Sequence, residues 1–127
     1  MGLDMYLSTI DHDPRNKQTD QPITDEMEPV DIGYWRKANH IHGYMENLYY
    51  IKGGVGSTFN CQTVRLSIID LVELCKHIID NDLPVTKGFF FGDDNRPTEV
   101  DTQSLTILLN AIKEIEMGKD VYYHAWW

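Results

Sequence analysis

Gly2-Leu-Asp-Met-Tyr-Leu-Ser-Thr-Ile10 and Val121-Tyr-Tyr-His-Ala-Trp-Trp127, the two end segments of this 127-residue chain, decide its fold class. In the first, Leu3, Met5 and Leu7 alternate with Asp4, Tyr6 and Ser8. In the second, Val121, Tyr123, Ala125 and Trp127 alternate with Tyr122, His124 and Trp126. Successive side chains of a strand point to opposite faces, so a period of two reads as a half-buried strand at each end. Each has one apolar and one mixed face, and the ends of small domains commonly lie close together. The two are therefore expected to pair in one sheet.

Between them the period changes. At about 100° per residue, Tyr34, Ala38, Ile41, Met45, Leu48 and Tyr49 fall on one stripe. This predicts a helix from about Ile32, capped by Asp31, with Trp35 and His42 on the flank of the stripe and Arg36, His40 and Asn47 pointing away. Lys52-Gly-Gly-Val-Gly-Ser-Thr58 ends it. Residues 60–66 can form a short strand. Ser67, with Asp70 three residues on, opens a second helix whose apolar side holds Ile68, Leu71, Val72, Leu74, Cys75, Ile78 and Ile79. A third helix is expected over residues 99–117, with Leu105, Leu108, Leu109, Ile112 and Ile115 inward and Gly118 as its stop. Three helices and two or three strands, not in βαβ order, indicate an α+β fold with a small antiparallel sheet. Residues 11–31 lose all periodicity and are rich in Asp, Pro, Thr and Gln, which reads as a long mobile loop.

Length and composition bound the rest. The chain has room for one domain and one core, and three Trp, seven Tyr and four Phe give it large side chains to bury. No apolar run is long enough for a membrane helix, and residues 1–4 lack the basic and apolar regions of a secretion signal, so a cytoplasmic location is expected. Cys61 and Cys75 have neither zinc nor disulfide-framework spacing, so reduced thiols are expected. The net charge of −9 argues against direct nucleic-acid binding, which needs a basic surface. Asp11, Asp13, Asp20, Asp25, Glu26, Glu28 and Asp31 load one early segment with acid. This reads as solvated surface, or alternatively as an acidic face for a host protein.

Four motifs are familiar as a set. Met1-Gly-Leu-Asp-Met-Tyr-Leu7, Tyr34-Trp-Arg-Lys-Ala-Asn-His-Ile-His42, Leu83-Pro-Val-Thr-Lys-Gly-Phe-Phe-Phe-Gly92 and Tyr122-Tyr-His-Ala-Trp-Trp127 resemble a family of small proteins of uncharacterised function. That family is common in tailed bacteriophages, prophages and some bacteria. The chain departs from the family pattern at Asp93-Asp94-Asn95, where a Tyr-rich stretch is usual, and at Val85. The resemblance implies a phage accessory role in a host cytoplasm and brings no chemistry with it.

The candidate site residues come from two places. Trp35, Arg36, Lys37, Asn39 and His42 combine a stacking face, cations and hydrogen-bonding groups suited to a nucleotide. On one helix, however, adjacent Arg36 and Lys37 diverge by about 100°. If the terminal strands pair, Tyr6, Tyr122 and Trp126, with His124, share a face able to stack a planar ligand. A concave site is expected where the predicted helix crosses that face. The sequence has no nucleotide-loop signature at Gly88–Gly92 or residues 52–58, no metal spacing among its histidines, and only a turn around Asp93 and Asp94. No metal or cofactor is expected. The leading expectation is a binding module that sequesters a host signalling nucleotide or another small anionic ligand in counter-defence. The alternatives are an inhibitor of a host protein, acting through the acidic segment, and a small nucleotide-acting enzyme.

Overall fold

The period-two pattern of residues 2–10 becomes the centre of the fold. In a computed structural model, which describes residues 2–84 and 98–127, β1 (Asp4–Asp11) has a strand on each side. The C-terminal strand β4 (Lys119–Trp126) pairs antiparallel with it from Asp4↔Trp126 to Asp11↔Lys119, so the terminal strands are neighbours as expected. β2 (Val30–Arg36) pairs antiparallel on its other side, and β3 (Thr63–Leu66) lies against β4. The result is a four-stranded antiparallel sheet in the order β2-β1-β4-β3, one strand more than the sequence suggested.

Alternation gives the sheet two faces. Leu3, Met5, Leu7, Trp35, Val64, Val121, Tyr123 and Ala125 form its inner face and join the buried core. The three helices complete that core from one side: α1 (Asn39–Ile51) through Ile41, Met45 and Tyr49, α2 (Ile68–Asp80) through Leu71, Leu74 and Ile78, and α3 (Thr102–Glu116) through Leu108 and Ala111. Those positions recur at helical intervals of three and four. The inward set is narrower than expected, because Ile68, Val72, Ile79 and Leu109 are exposed. Ser67 and Asp70 make the expected capping box at the start of α2, and Gly118, at φ +92°, turns the chain out of α3.

The main correction lies at residues 30–36. They form β2, not the first turns of a helix, and Asp31 caps nothing. The stripe Tyr34-Ala38-Ile41 is equally compatible with a strand in which Trp35 faces in and Tyr34 and Arg36 face out. The open edge of β1 decides between the two, because pairing satisfies its backbone groups. Lys37 then takes a left-handed conformation (φ +57°) and donates its N–H to Leu3 O at 2.9 Å. Helix α1 starts only at Asn39, after an Ala38 that offers no side-chain cap. His40, expected to point outward, is buried.

Two further features of β2 matter. An added Cβ on Gly33 would sit 2.4 Å from Ile107 Cγ2, so glycine lets α3 lie directly on the strand. The register also slips: Leu7 pairs with Gly33, but Ser8 pairs with Asp31, leaving Ile32 as the extra residue of a bulge. Without the slip Asp31 would oppose Thr9; with it, Asp31 stands beside Ser8 on the outer face.

Residues 12–29 contain a 3₁₀ turn at Asp25–Met27 and run back along the open edge of β3. Arg65 N–H donates to Gln18 O at 2.8 Å, and Asp20 N–H donates to Thr63 O at 3.0 Å. The buried carboxylate of Asp120 accepts from Asn16 Nδ2 and Arg65 Nη2, each at 2.8 Å, and lies 3.0 Å from His12 Nδ1. The segment thereby covers Tyr122 on the outer sheet face. The glycine-bracketed run Gly88–Gly92 and the turn holding Asp93 and Asp94 lie outside the described residues.

Candidate functional site

Beyond that segment the outer face carries an aromatic strip. Tyr6 of β1 lies between Tyr34 of β2 and His124 of β4, with ring centroids 5.2 and 5.3 Å away, and Trp126 is 5.0 Å from it. These are ordinary distances for interacting aromatic rings. Register produces the strip, since Tyr6 is directly opposite both Tyr34 and His124. Tyr34 and Trp126 remain about half exposed, at 50% and 47%. The Tyr34 hydroxyl donates to Asp4 Oδ1 at 2.6 Å, and this bond, more than burial, raises its pKa.

At the Asp4 end stands Arg36, its Nε 4.0 Å from Asp4 Oδ1 and its side chain 62% exposed. A Cβ on Gly2 would be 3.3 Å from both Arg36 Nη2 and Lys37 Cε. The two cations therefore flank one point beside Gly2. On a helix they would have diverged; the left-handed turn at Lys37 brings them together.

At the other end the strip opens into a cleft of about 450 Å³ between the sheet and the returning segment. Its walls include Ser8, Asp20, Gln21, Asp31, Cys61, Thr63 and His124, with Pro22, Ile23 and Pro29 as apolar cover. Ser8 Oγ donates to Asp31 Oδ1 at 2.7 Å. Asp20 accepts from the Tyr49 hydroxyl and from Val55 N–H, and Thr63 Oγ1 donates to Gln21 O at 3.0 Å. His124 belongs to both strip and cleft. Burial lowers its pKa, against the opposing field of Asp31, and its Nδ1 is buried with no hydrogen-bond partner among the described residues. Cys61, exposed on the wall, holds φ +64°, a conformation that costs a non-glycine residue roughly 1–2 kcal/mol.

The sequence-derived candidates divide between two sides of the sheet. Tyr6, Arg36, Lys37 and Trp126 are at the strip or its cationic end. Trp35, Asn39 and His42 are buried on the helical side. Trp35 donates Nε1–H to Ser104 Oγ at 2.8 Å, and His42 Nδ1 lies 2.7 Å from the Tyr123 hydroxyl, with Phe59 stacked on its ring. Burial takes the His42 pKa down to about 4. Trp35 and His42 thus flank the core, as their place beside the predicted stripe implied. Tyr122 is on the outer face but fully buried, its hydroxyl donating to Lys17 O beneath the returning segment. The expected meeting of helix and aromatic face does not form, because α1 packs on the opposite side of the sheet.

Tyr34, Ser8, Asp31, Gln21 and Thr63 were not among the sequence candidates. Tyr34 had a signal in its alternation with Trp35 and Arg36, while the cleft residues depend on a bulge and a loop path with no local signature. Among the described residues no group of three or more His, Cys, Asp and Glu side chains is placed to hold a metal ion. No described helix is long and apolar enough to cross a membrane. In comparisons with known proteins, no family model, curated protein or solved structure matches this chain.

Proposed function

We propose that this protein is a binding module, a phage-type accessory protein that sequesters a small planar anionic ligand such as a host signalling nucleotide. The observation that carries this reading is the strip of Tyr34, Tyr6, His124 and Trp126, adjacent on an open sheet face, with Arg36 and Lys37 at one end. Aromatic faces stack any base, each stack contributing about 1–3 kcal/mol, and a guanidinium can hold a phosphate through paired donors. Such a ligand needs a locally positive spot on a chain of net charge −9, and Arg36–Lys37 is the only adjacent pair of cations in the sequence. The competing reading, inhibition of a host protein through the acidic segment, has less to work with. Asp11, Asp13 and Asp20 are engaged with Lys119, Arg15 and Tyr49, and Asp31 stands apart in the cleft beside the strip, leaving Asp25, Glu26 and Glu28 as the exposed acids around the 3₁₀ turn.

Calorimetric titration with the four common ribonucleoside monophosphates tests the proposal. Saturable binding should weaken with added salt and fall about tenfold or more in Tyr6→Ala and Arg36→Ala. Arg36→Ala should melt like the parent, since its side chain is mostly exposed. If no nucleotide binds, or if both variants bind like the parent, the proposal fails, and a co-purifying protein released by salt would favour the inhibitor reading.

A further inference from the structure

We infer that the cleft beside the strip reads the hydrogen-bonding edge of the stacked ring, and that its chemistry selects guanine. This rests on the binding reading above and adds the identity of the base.

Polar side chains line most of the cleft. Among the described residues no Lys or Arg does, while Asp20 and Asp31 both do. A phosphate entering there would face carboxylates without a counter-charge, so the anionic end of a nucleotide belongs at Arg36. Strand geometry allows that division. Arg36 is opposite Asp4, the strip centres on Tyr6, and the cleft begins at Ser8, so each step along β1 is two residues, or about 7 Å. A base over Tyr6 with its phosphate toward Arg36 turns its far edge to Ser8 and Asp31.

That edge meets acceptors. Asp20 is already engaged by the Tyr49 hydroxyl and Val55 N–H, and the Gln21 amide by Lys17 N–H and Pro22 O. Asp31 is different. Only its Oδ1 has a side-chain donor among the described residues, the Ser8 hydroxyl, and that bond orients the carboxylate while leaving Oδ2 and further lone pairs for a ligand. The β2 bulge places it there, in the manner of bulges that re-aim a side chain at a site. His124 lines the same cleft, and burial lowers its pKa.

The Asp31 carboxylate favours a ring edge that presents two N–H donors side by side, as a carboxylate does in pairing with arginine. Guanine presents that arrangement with its ring N–H and exocyclic amino group. Adenine and cytosine offer a single amino group on the corresponding edge, and hypoxanthine lacks the amino group while keeping the ring N–H.

The test is a competition among GMP, IMP, AMP and CMP, which share their phosphate, at one ionic strength, on the full chain and on Asp31→Asn. The substitution keeps an oxygen to accept from Ser8 while replacing the other with a donor, and a melting curve checks that the fold is retained. GMP should bind at least tenfold more tightly than IMP or AMP. Asp31→Asn should remove that preference, with AMP affinity changed by less than threefold. Equal affinities across the series, or an unchanged GMP preference in Asp31→Asn, would overturn the guanine assignment while leaving the binding module in place. Absence of binding by all four would overturn both.

Discussion

Acidification from pH 6.5 to pH 4 should destabilise this protein through His42. The imidazole is fully buried, and burial holds its pKa near 4 against an ordinary 6.5. In the unfolded chain the ring takes up a proton as pH falls through 6.5, while in the folded protein it stays neutral until about 4. Over that window the unfolded state binds more protons, so stability is greatest above pH 6.5 and is lost progressively on the way down. Below pH 4 both states are protonated at this site and its contribution stops changing. At 1.36 kcal/mol per pH unit, the loss is about 3 kcal/mol, a large part of a small domain's stability. His124 acts in the same direction with its own lowered pKa. Asp13 and Asp70, whose pKa values are also lowered, lose their contributions only as pH falls below the ordinary carboxylate value of 3.8, outside the window. The assay is urea denaturation at half-unit intervals from pH 7.5 to 3.5, on the parent and on His42→Asn, which removes the titration while keeping a polar group opposite Tyr123. The variant will be less stable at pH 7.5, so the slope is the readout and not the absolute value. A parent slope that flattens in His42→Asn, with a residue left by His124, fits the reasoning. If the variant keeps the full parental slope between pH 6.5 and 4, the reasoning is wrong.

Two further outcomes follow from packing. Ser104→Ala removes the acceptor of the buried Trp35 indole N–H and should cost about 1–3 kcal/mol, read as a lower urea midpoint with unchanged slope. An equal midpoint would mean the indole N–H finds another partner. Gly33→Ala drives a methyl group to within 2.4 Å of Ile107 and should lower stability by about 1–3 kcal/mol, with partial recovery when Ile107→Ala is combined with it. Additive losses in the double variant would remove the clash as the cause.

The amino-acid sequence by itself determined the terminal strands, the three helices and the α+β class, because each is written in a local period. Leu3-Met5-Leu7 can be buried together only on a strand, and Leu71-Leu74-Ile78 only on a helix. The capping box of Ser67 and the stop at Gly118 were legible for the same reason, since their chemistry acts within a few residues. Where two periods fitted the same residues, at 34–41, local pattern had no means of choosing. The unpaired edge of β1 chose the strand, and with it sent Trp35 to the core and left Tyr34 and Arg36 outside. Only the tertiary structure, likewise, decided which aromatics meet. Tyr6, His124 and Trp126 share a face by register, but Tyr122, on that same face, is sealed under residues 12–29. The placement of Asp31 beside Ser8 comes from a one-residue slip in the pairing of β1 with β2. Such choices are settled by contacts between residues far apart in the chain, and no local stretch of sequence records them.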